Sequence, residues 1–271
     1  IRPRRRPIEP DPGHTGGGIV VLTLFDLPRT RSLLPVASPD AACSRPGIDP
    51  LPRGGAVSLD LRVYLVLDPA HTGGRSSFEV AEAALRGGVT VVQLRWKVGP
   101  LREMLRWGAA LRELCRRYRV PFLINDRVDA ALALEADGVH VGQEDLPPEV
   151  ARRLLGPRAL IGVSARTPEQ AQAAEAAGAD YLGTGSVFPT GSKEGARLIG
   201  PEGLRAVVRA TRLPVVAIGG VNAENAAACI QAGAAGVAVI SAITQAPDPE
   251  AAARALRQAV DEALAARRLG E

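Results

Sequence analysis

Residues 137–163 read DGVHVGQEDLPPEVARRLLGPRALIGV, and this stretch decides the fold. Two short apolar runs, 138–141 and 160–163, have strand length, and the amphipathic segment 148–155 between them has helix length. Pro148 stands at the helix start, where the N–H that proline lacks would have had no partner. The doublet Ala136-Asp137 leads into the first run, and Ala179-Asp180 leads into another further on.

The alternation continues in both directions. Strand-like runs fall at 63–67, 89–94, 122–124, 138–141, 160–163, 181–183, 215–218 and 236–239. Amphipathic stretches rich in Ala, Leu, Arg and Glu separate or follow them at 78–86, 101–118, 128–134, 148–155, 168–177, 201–210, 223–232 and 249–266. Strict alternation makes the strands parallel, and eight units close as an α/β fold of the (β/α)8 TIM-barrel type, a single domain over 61–271. A doubly wound open sheet is the alternative, but no second break in composition supports it. Nearly half of the 271 residues are hydrophobic, ample for such a core.

Residues 1–60 differ. They hold the run Arg4-Arg5-Arg6 and much of the chain's proline, and no periodic pattern outlasts 19–25. Such a segment buries too little apolar surface to offset its ordering entropy, so a largely disordered Pro/Gly/Arg-rich extension is expected. It shows neither a clean amphipathic transit pattern nor a secretory apolar region. No run approaches the ~20 apolar residues of a membrane span, so no membrane partner is expected. The net charge of +4 is scattered over helix faces and argues against nucleic acid. Cys43, Cys115 and Cys229 share no metal spacing and read as reduced thiols of a cytoplasmic protein.

A barrel gathers its chemistry in the loops after each strand. After the second strand, Gln93, Arg95 and Lys97 continue one face, an anion clamp where an aliphatic interior would be expected. Of 33 basic residues only Lys97 and Lys193 are lysine, and both follow strands, where a compact ammonium suits a tight site. Asn125-Asp126 and Gly142-Gln143-Glu144-Asp145 end the next two strands. Asp126 and Asp145 read either as a pair sharing Mg²⁺ with substrate phosphates, or as a helix N-cap and a turn residue. His140, within the fourth strand, reads as a satisfied core histidine with no catalytic role. Ser164 ends the fifth strand, with Thr167 an N-cap beyond it. The sixth runs through Gly183-x-Gly185 into a loop bearing Thr190, Gly191, Ser192 and Lys193, suited to phosphate oxygens. Gly219-Gly220 and Ile240-Ser241, after the last two strands, form a barrel phosphate site. Two anion sites at one mouth and no evident nucleophile–base pair suggest departure of a metal-bound pyrophosphate, with attack by a second phosphorylated substrate.

These strings closely resemble the thiamine phosphate synthase family. The resemblance spans about 61–245 and rests on QLRWK at 93–97, INDRVDAAL at 124–132, DGVHVGQEDL at 137–146, GVSA at 162–165, FPTGSK at 188–193, AIGGV at 217–221 and ISAI at 240–243. It implies that Gln93, Arg95, Lys97, Asn125, Ser164 and Lys193 bind hydroxymethylpyrimidine pyrophosphate, with Mg²⁺ on Asp126 and Asp145. Thr190, Ser192, Gly220, Ile240 and Ser241 would hold the thiazole phosphate. Early loss of pyrophosphate would leave a pyrimidine methylene cation for the thiazole nitrogen to capture. Arg95, Ser164 and Lys193 are the expected catalytic contacts, Lys193 as a late contact to the departing group. The partners implied are two small phosphorylated substrates, and a homo-oligomer is allowed. Arg166 stands where many relatives carry His, and residues 1–60 have no counterpart. The rivals are a thiazole tautomerase on the same barrel and a non-catalytic phosphate-binding barrel. Neither would release pyrophosphate.

Overall fold

A computed structural model describes residues 59–191 and 197–270. All but the last two residues of the expected extension lie outside these, as do Cys43, Ser192 and Lys193.

Each apolar run becomes a strand because its residues alternate between two buried surfaces, the barrel lumen and the shell under the helices. The order is β1 Val63–Leu67, α1 Ser77–Arg86, β2 Val91–Leu94, α2 Leu101–Tyr118, β3 Phe122–Asn125, α3 Val128–Ala133 and β4 Gly138–Val141. There follow α4 Pro148–Leu155, β5 Leu160–Ser164, α5 Pro168–Ala176, β6 Tyr181–Thr184, α6 Gly200–Arg209 and β7 Val215–Ile218. The chain ends with α7 Ala226–Gln231, β8 Gly236–Val239, the short α8 Ser241–Thr244 and the long α9 Pro249–Gly270. The eight strands are parallel, paired in sequence order, and closed by β1 against β8. No helix among the described residues is long and apolar enough to cross a membrane.

Local chemistry sets the element ends. Thr167 caps α5 as expected, its Oγ1 accepting from the Gln170 N–H at 3.3 Å. Strand β2 starts at Val91 rather than residue 89, because the Val89 N–H still closes the end of α1 on the Ala84 carbonyl at 3.2 Å. Helix α7 starts at Ala226 rather than residue 223. Asn222 Oδ1 accepts from Glu224 N at 2.9 Å and from Asn225 N at 3.2 Å, an Asx turn that holds these residues out of the helix.

The first and last units are stitched together. Arg62 Nη1 donates to Asp261 Oδ1 at 2.9 Å, Arg86 Nε to Glu250 Oε2 at 2.8 Å, and Arg257 Nη1 to the Gly88 carbonyl at 3.1 Å. Arg75 reaches from the β1–α1 loop to the carbonyls of Thr244, Ala246 and Pro247 beyond α8.

The lumen departs from the expected aliphatic filling. Its lower part is apolar (Leu61, Val91, Leu123, Leu160, Val216), but Tyr64, Tyr181, Gln93 and His140 occupy the level above, beneath the mouth. Glycines make the room. A Cβ on Gly138 would stand 2.0 Å from the Leu160 carbonyl oxygen, which is backbone and cannot swing aside. We therefore expect Gly138→Ala to cost about 1–3 kcal/mol, read as a lower urea midpoint with an unchanged slope.

Candidate active site

The strands' C-terminal ends open on a cavity of about 550 Å³. Of the residues expected in the site, Gln93, Arg95, Asn125, Ser164, Thr190, Gly220, Ile240 and Ser241 line it. Lys97, Asp126 and Asp145 lie beside it in the neighbouring loops, and Ser192 and Lys193 lie outside the described residues.

The clamp of β2 is built of paired charges. Gln93 is buried and donates through Nε2 to Tyr64 Oη at 2.6 Å. The Arg95 N–H donates to the Leu67 carbonyl at 2.9 Å, and its guanidinium donates to Asp68 Oδ2. Asp68 is only 3 % exposed, and its other oxygen accepts from Ala70 N at 3.0 Å, so the carboxylate that orients Arg95 is itself fixed. Sequence reading passed over Asp68, although it stands directly after the first strand, where barrel chemistry collects.

Lys97 Nζ donates to Asp126 Oδ2. Asp126 adopts a φ of 60° while its N–H donates to the His140 carbonyl at 2.8 Å, turning its side chain away from the start of α3. Arg127 occupies the cap position there, its side chain bonded to Asp129 rather than to a helix N–H, so Asp126 is not the helix cap that was one reading of it. Burial pushes the Asp126 carboxyl up, the neighbouring Asp145 carboxyl adds to this, and Lys97 opposes both. Asp145 Oδ2 also accepts from the Gly142 N–H at 2.7 Å, the turn contact of its second reading, and this fixes the carboxyl beside Asp126.

Across the cavity, Gly219 and Gly220 have φ of 96° and 66°, a left-handed pair that other residues rarely adopt. A Cβ on Gly220 would stand 2.4 Å from the Pro189 carbonyl oxygen, so this turn packs flush against the loop bearing Thr190. Asn225 Nδ2 ties the turn down by donating to the Gly220 carbonyl at 2.9 Å. Helix α8 opens at Ser241 with no side-chain cap on its first N–H groups. Gly183 in β6 and Gly185 just after it line the cavity, and packing also requires them to be glycine. A Cβ on Gly185 would stand 1.9 Å from the Ile218 carbonyl oxygen, and one on Gly183 would stand 2.9 Å from His140 Cε1.

His140 is satisfied, as expected of it, but half-buried in the cavity wall rather than in the core. Tyr181 Oη and Ser164 Oγ each lie 3.0 Å from one of its ring nitrogens. Cys115 and Cys229 are unpaired, and burial pushes each thiol up to about 12, leaving them unreactive.

The family model for thiamine monophosphate synthase matches residues 63–243. The chain belongs to the thiamine monophosphate synthase family. A curated thiamine-phosphate synthase of Moorella thermoacetica is 54 % identical over 202 residues, covering 74 % of this chain and 96 % of that one. One from Roseiflexus sp. is 51 % identical over 216 residues, covering 79 % and 89 %. A solved thiamine phosphate pyrophosphorylase from Pyrococcus furiosus superposes with a TM-score of 0.70 at 46 % identity, over 76 % of this chain and 98 % of that one.

Within this thiamine monophosphate synthase family barrel, Arg95 owes its direction to Asp68. Asp68→Asn keeps the shape and removes the charge partner, a change of about 1.4–3 kcal/mol. We expect the loss to appear as a lower urea midpoint with an unchanged slope.

Proposed function

We propose that this protein is a Mg²⁺-dependent thiamine-phosphate synthase, a transferase that joins hydroxymethylpyrimidine pyrophosphate to a thiazole phosphate and releases pyrophosphate. The observation that carries the reading is the contact between the Asp126 and Asp145 carboxyls, with Lys97 bonded to Asp126, at the rim of the cavity that Arg95 and the Gly219-Gly220 turn enter. Two like charges held together at a mouth suit a hard cation. A pair of carboxylates with no third His, Cys, Asp or Glu grouped beside it among the described residues suits Mg²⁺, which keeps waters and phosphate oxygens for its other positions. Among the described residues no group of three or more His, Cys, Asp or Glu forms a metal cluster, so the donor set does not resemble a closed transition-metal site.

In this reading Gln93, Arg95, Lys97, Asn125, Ser164 and Lys193 hold the pyrimidine pyrophosphate. Thr190, Ser192, Gly220, Ile240 and Ser241 hold the thiazole phosphate. When bound at Asp126 and Asp145, Mg²⁺ neutralises charge on the pyrophosphate. The C–O bond breaks with its electron pair going to pyrophosphate. Arg95 and Lys97 stabilise that charge as it develops, and Lys193 meets the departing group late. The thiazole nitrogen then attacks the pyrimidine methylene cation with its lone pair and becomes the thiazolium. No proton has to be removed. This agrees with the only imidazole in the cavity wall, among the described residues, having both nitrogens within 3.0 Å of neighbouring hydroxyls. A cytoplasmic setting accords with the unpaired thiols Cys115 and Cys229.

Mixing both substrates with Mg²⁺ should release one pyrophosphate per thiamine phosphate, and EDTA should stop it. Release from either substrate alone, or release indifferent to EDTA, sinks the reading. Asp126→Asn and Asp145→Asn should each lower kcat/KM by about 10²-fold or more, as loss of a charge-stabilising group does. Lys193→Ala should lower kcat while leaving the KM for the thiazole phosphate near its starting value, because its contact forms late.

A further inference from the structure

A chain of hydrogen bonds crosses the lumen under the cavity. Gln93 Nε2 donates to Tyr64 Oη at 2.6 Å, and the Tyr64 and Tyr181 hydroxyls meet at 2.8 Å. Tyr181 Oη lies 3.0 Å from His140 Nδ1, and His140 Nε2 lies 3.0 Å from Ser164 Oγ. The five residues come from β2, β1, β6, β4 and β5, so the chain spans the barrel rather than following one wall. Its seats are cut to shape. A Cβ on Gly162 would stand 2.1 Å from Tyr181 Cζ and 2.5 Å from His140 Nδ1.

Only one polarity gives both buried phenolic protons a partner within the chain. An amide NH₂ donates and never accepts, so Tyr64 accepts from Gln93 and its own proton goes to Tyr181. Tyr181, having accepted, gives its proton to His140 Nδ1, which must therefore be bare. The ring proton then sits on Nε2 and is donated to Ser164 Oγ, leaving the Ser164 proton to enter the cavity. Burial pushes both phenols far above their ordinary range, so neither breaks the sequence by ionising. Gln143 Nε2 meanwhile takes the Ser164 carbonyl at 2.6 Å, holding the strand end still.

We propose that Tyr64, Tyr181 and His140 are positioning residues that fix this polarity, so that Ser164 presents its hydroxyl to the pyrimidine substrate as a donor and the substrate atom it meets is an acceptor. For the identity of the substrate this rests on the synthase reading; the polarity itself does not.

The tautomer is read in the substrate-free protein by ¹⁵N-histidine NMR. The chain has three histidines, so His14→Asn and His71→Asn variants assign the third. The His140 signal should be pyrrole-like at Nε2 and pyridine-like at Nδ1. A proton on Nδ1 overturns the proposal. Tyr181→Phe should mix the tautomers and raise the KM for the pyrimidine pyrophosphate about tenfold, the worth of one hydrogen bond, with the KM for the thiazole phosphate unchanged. An unchanged pyrimidine KM overturns the proposal, as does an equal rise for both substrates, which marks general loss of structure. Tyr64→Phe leaves Tyr181 beside His140 but removes the donor that sets its direction, so it should mix the tautomers as well and raise the same KM. If the wild-type protein releases no pyrophosphate from the two substrates, the synthase reading falls and the tautomer still decides the polarity.

Discussion

Eight short parallel strands leave a lumen that side chains must fill, and the filling chosen here constrains everything above it. Tyr64 and Tyr181 bring two hydroxyls together inside a fully buried space, where an unpaired oxygen is costly, so each needs further partners at the same level. Gln93 and His140 supply them. The rings in turn oblige the facing strands to carry glycine, as Gly162 and Gly183 do. A polar level between apolar filling below and solvent above is how the lumen becomes the floor of a cavity rather than the top of a core.

The rim follows a second rule, that each cation of the clamp is held by a carboxylate from an adjacent strand end. Arg95 belongs to Asp68 and Lys97 to Asp126. The pairs are not equivalent. Asp68 is buried and serves a backbone N–H as well, so Arg95 is held for good. Asp126 also faces Asp145, a repulsive neighbour, so its hold on Lys97 is open to competition. Under the proposed function, Asp126 and Asp145 would hold the divalent ion, and Lys97 would then be left to meet an anionic substrate.

Most of the barrel could be read directly from the chain because parallel strands buried on both faces appear as unbroken apolar runs, and the helices between them carry a clear polar face. The start of β2 and the start of α7 were misread where turn chemistry competes with the period, at Val89 and in the Asn222–Asn225 turn. The rim residues that line the cavity are legible because polar side chains at strand ends break an otherwise apolar rule. Asp68 escaped because one acidic residue after a strand resembles any turn residue until Arg95 is seen against it. The buried chain escaped for a different reason. Tyr64, His140 and Tyr181 lie far apart in sequence, and no local pattern tells a tyrosine whose hydroxyl meets another from one that merely fills space.

The seam between β1 and β8 has a consequence for synthesis of the chain. A strand that pairs with the last one made must wait with an open edge while the rest emerges from the ribosome. Until residue 239 is available, any folded fragment is a curved sheet with two free margins, each able to recruit a foreign strand. The arginine stitches from Arg62, Arg75, Arg86 and Arg257 all span that seam, so they reinforce the ring only after it has closed.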